Sequence, residues 1–336
     1  MLLEIGMTLL VGFRIASEHA HTTVLSRIVR LRLLYDGAPV DAPRTVIFKT
    51  GLPACAGAHW QAGRQEVAFY THVVPLMPPR LVPRCFDALW DAQAQTWSLV
   101  LEDLTDSHVI ATSWPLPPTL EQCTCIVQAR AHFHAQWWDD ARLGTAIGTW
   151  TEPDSMHRHL HTLAERFRRF ADRLGGGLDG ERRALYERFF AVAPRLMSRY
   201  YAHRHLTIVH GDAHVWNTFL PRDGSAQGVR FFDWDCWRVD VGTDDLAYMM
   251  ALHWYPDLRK RYEPSLLDCY HEALVAHGVQ GYDRQALEED YRLSVLWHMT
   301  TPVWQAANDI PPVIWWNNFE RIMLAVDDLG CRELLA

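Results

Sequence analysis

No stretch of this sequence stays apolar long enough to cross a bilayer, which argues against a membrane-spanning helix. No C-x-x-C pair occurs among its seven cysteines, and Cys123 and Cys125 stand only two apart. An odd, scattered set of thiols speaks against a disulfide framework and for a reduced, cytoplasmic setting. Net positive charge is missing too. With 32 Lys and Arg against 40 Asp and Glu, the formal charge is -8. That excludes a general affinity for nucleic acid or an anionic membrane surface. There is no internal repeat and no low-complexity tract. The apolar run Ile5–Phe13 is short, follows Glu4 and lacks a basic flank, so it is expected to be a first buried strand, not a signal peptide. What is present is an ordinary globular composition, 49% hydrophobic and 21% charged over 336 residues. That length suits either a two-lobed protein with a sizeable core or two small domains. The 15 tryptophans suggest aromatic packing and an aromatic-lined pocket.

The order of elements is read from apolar spacing and turn residues. Leu9–Ser17, Leu25–Leu34 and Arg44–Thr50 are expected strands, with turn chemistry at Tyr35-Asp36-Gly37-Ala38-Pro39. Gly51–Gly63 is expected to be a loop and Arg64–Val73 a helix carrying Glu66. Strands resume at Leu81–Phe86 and Thr96–Leu101. Beyond Leu104 the pattern turns helical. Thr119 is placed to cap a helix from Leu120 to Trp138. His157–Leu174 has Leu160, Leu163, Phe167, Phe170 and Leu174 at helical spacing, stopped by Gly175-Gly176-Gly177. Glu181–Tyr201 reads as another helix, and Thr207–His210 and Val229–Trp234 as two short strands. Helices broken at Pro256, Pro264, Gly278–Gly281 and Pro311-Pro312 complete the chain. The expected class is α+β. A small antiparallel β lobe with one helix, residues 1–104, precedes a larger, mostly helical lobe, residues 105–336.

The strongest chemical signal is His210-Gly211-Asp212-Ala213-His214-Val215-Trp216-Asn217, followed by Phe231-Phe232-Asp233-Trp234-Asp235. Phosphoryl transfer asks little covalent chemistry of a protein. It needs a carboxylate at the attacking hydroxyl, oxygen ligands for Mg²⁺ and a cation on the phosphates. Asp212 stands at the end of an expected strand, and Asn217 follows five residues later, the Asp-to-Asn offset of a protein-kinase catalytic loop. Asp233 ends the next expected strand, 21 residues after Asp212. If those two strands pair as a hairpin-like unit, Asp212, Asn217 and Asp233 surround one metal. Mg²⁺ keeps several waters, so one carboxylate and one amide oxygen suffice.

His-Gly-Asp-x-His-x-x-Asn followed by Phe-Asp-Trp-Asp resembles the signature of the aminoglycoside phosphotransferase and choline kinase superfamily, whose fold is protein-kinase-like. Asp245-Leu246-Ala247 matches a further family motif. Leu99–Leu104, with Ala131-His132-Phe133-His134-Ala135, is similar to the ecdysteroid-kinase-like branch. The resemblance implies an ATP- and Mg²⁺-dependent kinase acting on a small hydroxylated molecule. It makes Asp212 the catalytic base or the group that orients the acceptor hydroxyl. It makes Asn217 and Asp233 the metal ligands. His210 braces the loop, Asp245 organises it by hydrogen bonds, and Asp235 either assists a second metal or caps a turn. Val46-Ile47-Phe48-Lys49 resembles the kinase Val-Ala-Ile-Lys strand. By that likeness Lys49 contacts the α- and β-phosphates and pairs with Glu66 at about 3 Å. Leu101 and Asp103 are the expected main-chain contacts to adenine. The departure is at Ala16–Thr23, which lies where a Gly-rich loop should cover the phosphates yet has no glycine; Ser17, Thr22 and Thr23 offer hydroxyls there.

The acceptor is not legible from these motifs. Trp297, Trp304, Trp315, Trp316 and Phe319 favour a ring-bearing or lipophilic alcohol. Glu289, Asp290 and Asp309 leave an aminoglycoside open, provided they converge. A pseudokinase-like nucleotide-binding module is the reading from another class, and Lys49, Asp212, Asn217 and Asp233 occurring together speak against it. His157 and His161, four apart on one helix face, lack the Glu of a zinc motif and read as solvated.

Overall fold

The computed structural model describes residues 13–23, 26–35, 42–52, 62–78, 80–150, 152–225 and 228–336. Most of the expected strand at Ile5–Phe13, of the Tyr35–Pro39 turn and of the Gly51–Gly63 loop falls outside the described residues. The mixed α+β class is found as expected, with antiparallel sheet early and helices late. Two compact units are present. One comprises residues 1–111 together with 217–237, and the other residues 112–216 together with 238–336.

The first unit is built on a five-stranded antiparallel sheet in the order β1-β2-β3-β5-β4. Its strands are β1 Phe13–Thr22, β2 Ser26–Tyr35, β3 Thr45–Gly51, β4 Cys85–Asp91 and β5 Thr96–Glu102. The segment expected to be a phosphate-covering loop is largely strand, since β1 runs through to Thr22, with a register shift between Ser17 and His19. The fourth strand starts later than Leu81. Pro83 has no N–H to offer a ladder, so pairing begins beyond it at Cys85. Helix α1, Ala62–Ala68, continues as a π-helical turn over Phe69–Val73. That widened turn lays Phe69 flat on Trp234, with ring centroids 3.9 Å apart. A second, three-stranded sheet joins β6 His108–Ile110, β8 Thr218–Pro221 and β9 Arg230–Phe231.

The second unit is helical. Helix α2, Leu120–Trp137, opens with a capping box: Thr119 Oγ1 accepts from Gln122 N, and Gln122 Oε1 accepts from Thr119 N. Helix α3, Pro153–Leu174, buries Leu160, Leu163, Phe167 and Phe170 of the expected stripe, while Leu174 at its end is only half-buried. Helices α4, Gly180–Leu196, and α5, Ser198–Tyr201, replace the single helix expected there. Helices α6 Thr243–Ala247, α7 Pro256–Ala276, α8 Arg284–His298, α9 Thr300–Ala307 and α10 Pro312–Asp328 follow. Pro264 does not break α7. It sits on an exposed face, where water can take up the carbonyl it leaves unpaired. Among the described residues no helix is long and apolar enough to cross a membrane.

The hairpin expected from Thr207–His210 and Val229–Trp234 does not form. Strand β7, Thr207–Val209, pairs with β10, Arg238–Asp240, and β9 pairs with β8. Both new partners are three or four residues long, too short for alternation to be read from sequence.

Candidate active site

In the first unit Lys49 lies near the middle of the sheet on β3, which is hydrogen-bonded on both sides. A lysine that is only 8% exposed must be paired to keep its charge. Its ammonium reaches Glu66 at 2.6 Å, matching the spacing expected of the pair, and Asp233 at 2.5 Å. Burial alone would lower the Lys49 pKa; the carboxylates of Glu66 and Asp233 outweigh it and raise it above the usual lysine range. Glu66 is carried by α1 and is fully enclosed. Asp233 follows β9 with φ 68, in the left-handed region that Asp tolerates better than most residues. Trp237 Nε1 donates to Gln65 O and Gln65 Nε2 to Trp237 O, tying the Asp233 segment to α1.

Asn217 begins the same returning segment, and its carbonyl accepts from Phe232 N at 3.2 Å. Leu101 is buried inside the sheet, cross-strand to Ile47 and Cys85. Asp103 follows the end of β5. Its carboxylate accepts from Arg30 Nε at 2.6 Å and from Thr105 N at 3.0 Å, so the side chain shapes the turn. Asp233 offers a hard oxygen donor with 39% of its side chain exposed, and Asn217 an amide; this is a donor set that fits Mg²⁺.

The second unit holds the His210-Gly211-Asp212 loop. Gly211 has φ 80, a turn that glycine makes without strain. The loop's backbone is gripped by one carboxylate. Asp245 Oδ2 accepts from His210 N and Oδ1 from Gly211 N, each at 3.0 Å. Arg130 on α2 pairs with Asp245 at 2.5 Å, and its guanidinium also reaches Ala213 O at 3.5 Å. His134, one turn along, donates Nε2–H to Asp245 and accepts at Nδ1 from the Tyr270 hydroxyl. Burial lowers the His134 pKa, which keeps the ring neutral. Burial would raise the Asp245 carboxyl, but the Arg130 charge and the His134 hydrogen bond hold it well below the usual carboxylate range.

Gly242 makes this cluster possible by close approach. A Cβ there would lie 2.3 Å from Tyr270 Oη and 2.9 Å from His134 Nδ1. Gly242→Ala should therefore split the His134–Tyr270 hydrogen bond and cost about 1–3 kcal/mol of stability by overpacking. A urea-denaturation midpoint equal to that of the parent would contradict this.

Asp212 itself accepts a hydrogen bond from Tyr248 Oη at 2.6 Å and faces His214 Nε2 at 3.4 Å. Burial would raise its pKa; the His214 imidazole and the Tyr248 hydroxyl outweigh it and lower it. His214 in turn lies within ring contact of Trp216 and His253. Of the rings anticipated as pocket walls, Trp304 and Trp316 are exposed, and the others are packed in the helical unit. Trp297 packs edge-on against Phe189, Trp315 against Phe170, and Phe319 is buried beside Tyr186. Asp290 is committed to Arg199 and Tyr282. Arg130, Tyr248 and His253 are contributors that motif reading passed over; only the Tyr after Asp-Leu-Ala stood next to a recognised signal.

Residues 144–280 match the ecdysteroid kinase-like family, a stretch that includes Asp212, Asn217, Asp233 and Asp245. None of the curated proteins compared matches the sequence. Among solved structures, a choline kinase from Cryptosporidium parvum Iowa II is similar at TM-score 0.60 and 9% identity, over 95% of this chain and 91% of that one. A Ralstonia eutropha protein assigned as an aminoglycoside phosphotransferase is similar at TM-score 0.59 and 12% identity, over 96% and 93% of the two chains. An amicoumacin kinase in complex with AMP-PNP and Ca²⁺ is similar at TM-score 0.53 and 13% identity, over 95% and 88%. The chain therefore has the protein-kinase-like fold of the aminoglycoside phosphotransferase and choline kinase superfamily, and over residues 144–280 it matches the ecdysteroid kinase-like family.

Proposed function

We propose that this protein is a small-molecule kinase that transfers the γ-phosphoryl group of ATP to an alcohol. The observation that carries the reading is the Lys49–Glu66–Asp233 cluster, in which Lys49 and Glu66 are buried. A lysine held charged beside an aspartate in a left-handed turn is a costly arrangement for stability alone, and it suits a site that receives phosphates and a cation. In this reading Lys49 holds the α- and β-phosphates, Glu66 fixes Lys49, and the main chain at Leu101–Asp103 meets adenine. Asn217 and Asp233 would hold Mg²⁺, which when bound supplies charge neutralisation on the phosphate oxygens. Asp212 takes the acceptor proton. The likeness to kinases, one of them solved with AMP-PNP and Ca²⁺, supports nucleotide and divalent-metal use.

For the acceptor we favour a ring-bearing or lipophilic alcohol over an aminoglycoside. What supports this is the ring set His214, Trp216, Tyr248 and His253 beside Asp212, together with the engagement of Asp290 elsewhere. The test is ADP release from Mg²⁺-ATP over a matched panel of alcohols and aminoglycosides, read for the parent and Asp233→Ala. The variant should lose turnover by about two orders of magnitude or more and require far higher Mg²⁺. Unchanged Mg²⁺ dependence in Asp233→Ala would remove the metal assignment, and a clear preference for aminoglycosides would remove the acceptor class.

A further inference from the structure

We propose that Arg321 binds the acceptor by an oxyanion, so that the alcohol phosphorylated is an organic acid, a ring-bearing hydroxycarboxylate. This rests on the kinase reading of Asp212 and narrows the acceptor class proposed above. Arg321 lies on α10 and is 6% exposed. A buried charge is ordinarily paired, because desolvating it alone is costly. Among the described residues the Arg321 guanidinium makes no ion pair and no hydrogen bond, and its Nε is shut away from solvent without an acceptor. The acids of its own helix are engaged elsewhere. Glu320 pairs with Arg182, Asp327 with Arg332, and Asp328 with Arg259 and Lys260. Arg321 does meet a ring: its guanidinium carbon lies 4.2 Å from the centroid of Tyr255, which is 53% exposed. A ring face attracts the charge but supplies no lone pair for the N–H donors.

Helix α10 packs against a π-helical turn, Tyr248–Leu252, which follows α6 directly. Such turns redirect the side chains around them and recur at functional sites. Tyr248 opens the turn and donates to Asp212, and His253 closes it, donating Nδ1–H to Tyr248 O at 2.7 Å. The His253 ring also lies 5.7 Å from His214 and 5.8 Å from Trp216, so it belongs to the ring set beside Asp212. Burial first, then His214, push the His253 pKa down to about 3; the Asp212 carboxylate opposes this fall and the Arg321 charge adds to it. One neutral imidazole thus registers both Asp212 and the unpaired cation.

The chemistry of the occupant follows from these groups. A guanidinium presents its donors as a fork that meets an oxyanion with two parallel hydrogen bonds. One cation matches a monoanion, which favours a carboxylate over a phosphate ester carrying nearer two charges at neutral pH. The rings supply walls for the body of the acceptor. A polycationic aminoglycoside would meet Arg321 as a like charge, which disfavours it further.

The deciding experiment compares the parent with Arg321→Met and Arg321→Lys on hydroxyalkyl benzoates, their methyl esters and the matching phosphonates, read as ADP release from Mg²⁺-ATP. The parent should prefer the acid over its ester by about tenfold or more in kcat/KM. In Arg321→Met that ratio should fall close to one, through a rise in KM for the acid, and Arg321→Lys should keep part of it. Equal use of acid and ester by the parent, a ratio that survives in Arg321→Met, or a preference for the phosphonate would overturn the proposal. Methionine keeps an apolar stem against Tyr255 and removes a charge that no carboxylate neutralises, so its urea midpoint should equal or exceed the parent's. A large fall in midpoint would make Arg321 a structural residue and overturn the proposal as well. Benzoate alone is also titrated into the ¹⁵N-labelled parent without nucleotide, where the Arg321 Nε–H resonance should shift saturably. If no alcohol releases ADP, the kinase reading fails, and this titration still decides whether Arg321 binds a carboxylate: a resonance that stays in place rules it out.

Discussion

Asp212→Asn should abolish nearly all acceptor phosphorylation while leaving the fold intact. Asn is isosteric, and its carbonyl oxygen can still accept from Tyr248, so the hydrogen bond that orients the side chain survives. What disappears is the oxygen able to take a proton. A positioned base contributes about 10²–10⁴-fold to such a step, so the rate should fall within that range. The drop should show in kcat with ATP affinity nearly unchanged, because Lys49, Glu66 and Asp233 are untouched. Single-turnover ADP release at saturating nucleotide measures it. Near-parental turnover of the true acceptor would mean that Asp212 is not the base.

Asp245→Ala should be the most damaging substitution to the fold itself. The Arg130 guanidinium is 3% exposed, and Asp245 neutralises it at 2.5 Å. Removing one member of a buried ion pair leaves an uncompensated charge and costs about 3–5 kcal/mol. The loss also strips the acceptor from His210 N, Gly211 N and His134 Nε2, so the loop's turn is no longer held. Against a total stability of about 5–15 kcal/mol, a change of that size can unfold the protein at ordinary temperature. Denaturant unfolding gives the number, and a cost below about 1 kcal/mol would show that the cluster is dispensable. The sign with pH follows from the direction of the shift. The folded carboxyl lies below its unfolded value of about 3.9, so its stabilisation is complete above that pH and is lost as pH falls through the acid range. The parent should therefore lose more stability on acidification than the variant.

Parts of this architecture could be read before any coordinates. The capping box at Thr119 and the apolar stripe of α3 are local and periodic, so a short window contains them. His-Gly-Asp and Asn217 lie within one loop, and the Lys49–Glu66 pair needed only a strand lysine followed by a helix glutamate. What escaped were partners brought together from afar. Arg130 looks like any charged residue within a helix until α2 docks it on Asp245, 115 positions later. Tyr248 follows Thr243-Asp244-Asp245-Leu246-Ala247, and nothing in that run signals a π turn or a neighbour at Asp212. Strands β8 and β10 are too brief for alternation to declare itself, and with them the true pairing of β7 and β9 was hidden. Pro264 misled for the opposite reason: its local meaning was right, but an exposed face of α7 tolerates it.

The grip of Asp245 on the Gly211 turn also bears on how this protein is made. During synthesis the His210–Asn217 segment leaves the ribosome before Asp245 exists to hold it, and its neighbour Asp244 is paired with His298 on α8. Chains emerge from the N-terminus and elements fold as their partners appear. The nascent chain therefore carries its lysine, its sheet and its His-Gly-Asp sequence while the loop still lacks a fixed shape. A truncated or stalled product ending before Asp245 would contain Lys49 and the His-Gly-Asp sequence without the carboxylate that holds the loop. The loop gains its anchor only once Asp245 has followed it out.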